Sequence, residues 1–130
     1  MWVKDKRPKR EPRIGMFPTI HVHRKGTQLN KAASEEMGLP DGEPRWIVFY
    51  TDDKNPARYG FIVLKNPQKD IDDVYKAAYR EKAKLTKINN IGFCERHNIL
   101  ERALKLGRTT FPLSKEITES GDALYFFELK

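Results

Sequence analysis

Residues 19–50 carry the strongest structural signal in the chain, because patterns of strand, turn, helix and strand follow one another there without a gap. Ile20 and Val22 alternate with His21 and His23. This period of two predicts a strand with one buried face and one face toward water. We expect the strand to end at the turn that follows it.

The same segment predicts a short helix and a buried hairpin. Asn30 is a good N-cap, and Gly38 marks the end of a helix of about two turns. Residues 46–51 are large β-formers and predict a strand buried on both faces. Residues 59–64 predict the returning strand of a hairpin.

The second half of the chain predicts two more helices and two strands. A helix beginning at Asp70 has aspartates in its first turn and lysines in its last, as the helix dipole favours. Its apolar positions recur at helical spacing: Ile71, Val74, Tyr75, Ala78 and Leu85. A further helix runs from about residue 97 to residue 106, and strands follow at 109–113 and 123–129. The predicted fold class is α+β, with a small mixed or antiparallel sheet, two or three short helices and an extended basic N-terminal arm.

With 130 residues, the chain has the length of one domain. We assign residues 1–15 to the basic N-terminal arm and residues 16–130 to a single α+β domain. A faint similarity between residues 26–51 and 92–129 lacks the constant spacing of a repeat.

No apolar run approaches the roughly 20 residues that cross a bilayer, and the N-terminus does not resemble a secretory signal. One cysteine favours a reducing compartment, so the expected location is the cytoplasm or the interior of a virion.

The net charge of +7 is concentrated in two clusters. Six cations against two carboxylates give residues 1–13 a net charge of +4, and five lysines and arginines against Glu81 give residues 76–87 another +4. The rest of the chain carries −1. Such clustering is typical of proteins that neutralise phosphates, and also of solvated faces and disordered arms.

These clusters define the candidate contacts to nucleic acid or to a protein partner. Tyr79 lies just beyond the apolar stripe of the predicted helix, so it is a better ligand-facing ring than Tyr75. The candidate residues are Trp2, Lys4, Lys6, Arg7, Lys9, Arg10, Arg13, Arg24, Lys25, Lys76, Tyr79, Arg80, Lys82, Lys84 and Lys87.

Catalytic and metal-binding patterns are weak. His21 and His23 share a strand face, and Cys94 lies near His97, but these pairs lack the compact spacing of structural zinc ligands. The carboxylates cluster as sequence neighbours, which point apart and make poor acid–base pairs. We therefore expect no metal, no cofactor and no enzymatic activity.

Residues 30–39 resemble the AbrB-like swapped-hairpin family of DNA-binding domains. The similarity rests on Gly26 and Leu29, on Asn30 at a position usually held by proline, and on the sequences Met37-Gly38-Leu39 and Asp41-Gly42-Glu43. It implies an intertwined β-rich dimer that binds phosphates through residues such as Arg24 and Lys25. The family's arginine after the glycine is Thr27 here, so its usual DNA-contacting arginine is absent.

Two functions remain open from the sequence. The first is a non-enzymatic basic module that binds nucleic acid through phosphate contacts. The second is a structural or auxiliary subunit of a large assembly, a phage virion or a ribonucleoprotein, anchored by its N-terminal arm. The expected partners are nucleic acid or such an assembly, with no membrane and with a possible homo-oligomer.

Overall fold

The computed structural model of the chain describes residues 17–66 and 74–130, of which 48% lie in strands and 21% in helices. Nine strands form one antiparallel sheet in the order β7-β1-β2-β6-β5-β3-β4-β9-β8. The strands are β1 Thr19–His23, β2 Gly26–Leu29, β3 Arg45–Asp52, β4 Asn55–Leu64, β5 Val74–Arg80, β6 Leu85–Ile88, β7 Thr110–Pro112, β8 Ser114–Ile117 and β9 Ala123–Glu128. The helices are α1 Lys31–Glu36, α2 Ile91–Arg96 and α3 Ile99–Leu106, with a 3-10 turn at Leu39–Asp41.

The sheet curls into a nearly closed barrel. Its two edge strands, β7 and β8, are separated in sequence only by Leu113, so the chain itself joins the two edges. On the inside, the ring of Phe111 on β7 lies 6.0 Å from that of Phe127 on β9. The predicted α+β class with a small sheet is therefore wrong, because a nearly closed sheet dominates the fold and the helices are short.

The helix predicted from Asp70 is also wrong where the structure describes it. Residues 74–80 form strand β5, residues 81–84 form a turn, and β6 follows. Tyr75, Ala77 and Tyr79 alternate with outward residues along β5, and this period of two competes with the helical spacing seen in the sequence. Cross-strand pairing with β3 and β6 selects the strand over the local helix preference. The aspartates of the predicted first turn lie outside the described residues.

Several local predictions are confirmed. The side chain of Asn30 accepts a hydrogen bond from the backbone N–H of Ala33 at 2.9 Å and caps α1. Gly38 follows α1 with φ of 73°, in the left-handed region that favours glycine. The hairpin of β3 and β4 forms as predicted, and α3 ends at Gly107.

The sheet contains an internal pseudo-twofold axis. Strands β1, β2 and β3 with α1 form one unit, and β5, β6 and β7 with α2 and α3 form a second. Exchanging the two units leaves the order β7-β1-β2-β6-β5-β3 unchanged. The axis passes between β2 and β6, where Gln28 lies opposite Lys87.

The two units span residues 19–52 and 74–112, whereas the faint sequence similarity relates residues 26–51 to residues 92–129, which include β8 and β9 outside the second unit. The relation between the two units is difficult to detect in the sequence, because their loops differ in length and equivalent residues are not evenly spaced. The β1–β2 turn has two residues and the β5–β6 turn has four, while α3 replaces a 3-10 turn of three residues.

The two units share one core. Its largest fully buried side chains include Phe61, Phe111 and Phe127, which come from β4, β7 and β9. Polar groups also join the units across the axis, since the hydroxyls of Ser34 and Thr86 lie 2.7 Å apart. The barrel therefore has a single hydrophobic interior, and the opposite face of the sheet forms its outer surface.

Candidate nucleic-acid interface

The fold brings together cations that are far apart in the sequence. The hairpins β1–β2 and β5–β6 lie side by side in the sheet because β2 pairs with β6. The turn at residues 24–25 therefore belongs to the same surface as the cluster at residues 76–87. We call this surface the basic face and define it by Arg24, Lys25, Lys76, Arg80, Lys82, Lys84 and Lys87.

Strand geometry places three of these cations close together on the outer side of the barrel. Lys76 and Arg80 flank Ala78 on β5, and Lys87 on β6 lies directly opposite Ala78. Diagonal neighbours in an antiparallel pair are about 7–8 Å apart, so Lys87 lies near both flanking cations. Gln28 continues this row on β2 as the partner of Lys87.

The two turns extend the basic face at opposite ends of the β2–β6 pair. They occupy equivalent positions in the two pseudo-symmetric units, and β2 and β6 run antiparallel. Lys84 has a left-handed φ of 53°, and its N–H donates to the Arg80 carbonyl at 2.7 Å, closing the longer turn. Lys82 and Lys84 are both exposed in this turn.

Within residues 17–66 and 74–130, the cations of the basic face form no ion pair, although Glu95 and Glu101 line a depression together with Arg24. Among the described residues, Glu81 pairs with none of them either, although it lies in the longer turn of this face. Other lysines are paired, as Lys31 is with Glu35 at 3.8 Å. Unpaired cations on one surface are available to phosphates.

The pKa of His23 is sensitive to the positive charges at one end of this face. Burial lowers the pKa of His23 below its usual 6.5, and the positive charges of His21, Lys87 and Lys25 lower it further. Its Nδ1 accepts a hydrogen bond from the backbone N–H of Lys25 at 3.1 Å. Burial and the neighbouring ammonium groups therefore both favour the neutral form of the ring.

The structure changes the choice of aromatic residue. Tyr79 packs against the core on the same side of β5 as Tyr75, so the reason for preferring it as the ligand-facing ring was wrong. Trp46 lies opposite Lys76 on the outer side of β3 and is half-buried. The sequence pattern does not indicate Trp46 as a candidate, because residues 46–51 predict a strand buried on both faces.

Trp2, Lys4, Lys6, Arg7, Lys9, Arg10 and Arg13 lie outside the described residues.

The histidines and the cysteine have separate surroundings. The ring of His97 packs 4.9 Å from that of Phe93, and His21 Nδ1 lies 3.0 Å from the hydroxyl of Thr110. Burial raises the pKa of the Cys94 thiol to about 11. Within residues 17–66 and 74–130, no three His, Cys, Asp or Glu side chains form a group that could hold a metal ion.

Comparisons with known proteins do not assign a family. No protein-family model, curated protein or solved structure shows a significant match to this chain. In the part of the chain that the structure describes, no helix is long and apolar enough to cross a membrane.

Proposed function

We propose that this protein binds nucleic acid, without catalysis, through phosphate contacts made by the basic face. The observation that carries the proposal is the pairing of β2 with β6, which brings seven cations onto two adjoining hairpins. Among the described residues, none of these seven cations forms an ion pair with a carboxylate. Each cation that neutralises a phosphate releases condensed counterions, and this release drives association.

The arrangement of the cations supports contacts along an extended polyanion. Neighbouring strands lie about 4.8 Å apart, so residues on β5 and β6 and in both turns spread positive charge across four strands. Trp46 beside Lys76 adds a half-buried ring to the edge of this surface. The resemblance of residues 30–39 to AbrB-like domains implies the same class of ligand and stays a prediction.

The proposal is tested with a charge-removal variant and a matched control. The variant Lys76→Gln/Arg80→Gln/Lys87→Gln removes three charges from the centre of the basic face. The control Lys54→Gln/Lys105→Gln/Lys130→Gln removes three charges from the β3–β4 turn, α3 and the C-terminus. Binding to a fluorescent duplex and single strand is measured by anisotropy.

We expect the first variant to bind at least about tenfold more weakly than the wild type and the control to change little. Circular dichroism checks that both variants remain folded. Equal losses in the two variants would show that only net charge matters. Absence of binding by the wild type at low salt would remove the proposal and leave the assembly subunit as the function to test.

A further inference from the structure

A groove with the opposite charge lies on the other half of the sheet. Its floor is Gly60 on β4, which pairs with Tyr50 on one side and Phe126 on the other. Gly60 has no side chain of its own, the side chain of Leu124 lies over it, and the groove has a volume of about 280 Å³. Tyr50 is 45% exposed, so this part of the outer surface presents apolar area to solvent.

Carboxylates surround this groove, which we call the acidic groove. Asp52, Asp53 and Glu116 line it together with one cation, Arg58, so its lining carries a net charge of −2. The Arg58 guanidinium lies 3.6 Å from Asp52 and 4.0 Å from Glu116, and it stacks 3.9 Å above the ring of Phe126. The guanidinium also lies 3.9 Å from Glu128, and Asp52 accepts a hydrogen bond from the backbone N–H of Lys54 at 2.9 Å. None of the Arg58 separations is of hydrogen-bond length, so the carboxylates keep capacity for further donors.

The chain enters the fold beside this groove. The Pro18 carbonyl accepts a hydrogen bond from the N–H of Leu113 at 2.9 Å. The next residue, Ser114, pairs with Phe126 at the groove. The 16 residues that precede Phe17 can extend up to about 55 Å, which is ample for a path from this point along the groove.

The sequence of that segment complements the groove in charge and in apolar character. Residues 1–13 carry a net charge of +4 and include one large aromatic residue, Trp2. Lysine and arginine match the carboxylates, and an indole ring matches the apolar part of the lining, which Tyr50, Leu124 and Phe126 supply. We propose that the acidic groove binds the N-terminal segment, residues 1–16, of the same chain. This inference is independent of the basic face.

Paramagnetic relaxation in the full-length protein tests the proposal. A nitroxide is attached through Val3→Cys, because Cys94 is buried and reacts poorly. We expect the amide signals of Gly60, Tyr50 and Phe126 to lose most of their intensity. Those of Gln28 and other residues at the pseudo-twofold axis should keep theirs.

Two further samples examine the charge complementarity. Asp53→Asn/Glu116→Gln should restore the groove signals, whereas the matched pair Glu35→Gln/Glu101→Gln, which removes the same charge from α1 and α3, should not. Raising the salt from roughly 0.05 M to roughly 0.5 M should also restore them, because the Debye length shortens severalfold.

A mixed sample distinguishes the occupants. Isotope-labelled protein without nitroxide is combined with unlabelled protein that carries it. Intensity loss at Gly60 in this mixture would show that a second copy supplies the segment and would overturn binding within one chain. Unchanged groove signals in the singly labelled protein would overturn the proposal altogether.

Discussion

Gly26→Ala should be severely destabilising, because Gly26 lies at the contact between the two pseudo-symmetric units. A Cβ atom at this position would lie 2.4 Å from the Ile88 carbonyl oxygen and 2.9 Å from the Asn90 backbone nitrogen. Both are backbone atoms of the segment that joins β6 to α2, so neither can move as a side chain does. Gly26 also has φ of +128°, which residues other than glycine rarely adopt.

The magnitude follows from these two costs. An unfavourable backbone conformation costs about 1–3 kcal/mol, and forcing atoms into a packed region costs about 1–3 kcal/mol more. We expect a loss of about 4 kcal/mol, a large share of the roughly 5–15 kcal/mol that stabilises a typical domain.

Gly38→Ala is the matched control. Gly38 also has a positive φ of 73°, but a Cβ there would meet no atom within 4 Å. Its cost should be only about 1 kcal/mol, from the backbone conformation alone. Urea unfolding followed by circular dichroism gives the free energy of unfolding of both variants. Equal losses at the two glycines would refute the close approach of β2 to the β6–α2 segment.

Three smaller predictions concern single ionisable groups. The Asp41 carboxylate accepts hydrogen bonds from the Glu43 backbone N–H and from Arg45, which lower its pKa below 3.8. Its stabilising effect is therefore present above pH 3.8 and is lost as the pH falls through the folded pKa. Asp41→Asn should lower the free energy of unfolding at neutral pH, and the difference from wild type should vanish in acid; a difference independent of pH would contradict this. Cys94 should not react with Ellman's reagent at pH 8 until the protein is unfolded, and rapid reaction of the native protein would show an accessible thiol. Lys87→Gln should raise the pKa of His23 in an NMR titration. An unchanged pKa would show that the charge of Lys87 does not act on the His23 ring.

The first half of the fold is predictable because its signals are local. The cap of α1 by Asn30 and the left-handed Gly38 depend on neighbours within a few residues, and both are confirmed. The β3–β4 hairpin is also contiguous in sequence. Such elements need no knowledge of the rest of the molecule.

The β5–β6 hairpin could not be assigned in this way. Residues 70–85 contain aspartates, alanines and lysines in the order that favours a helix, and only pairing with β2 and β3 makes β5 and β6 strands. Each cation of the basic face is a candidate contact in the sequence, whereas the placement of these cations on one surface depends on the β2–β6 pairing. The acidic groove combines Tyr50, Gly60 and Phe126 from three strands, and no spacing in the sequence connects them.

The salt dependence of nucleic-acid binding by the full-length protein tests the central claim most directly. If the seven cations of the basic face contact phosphates, the logarithm of the association constant should fall linearly with the logarithm of salt concentration, with a slope from that face as steep as about −6 for a duplex. At that slope, affinity should fall by about 10³-fold or more between roughly 0.05 M and roughly 0.2 M salt. Undetectable binding at the lower concentration, or affinity that does not change with salt, would contradict the account.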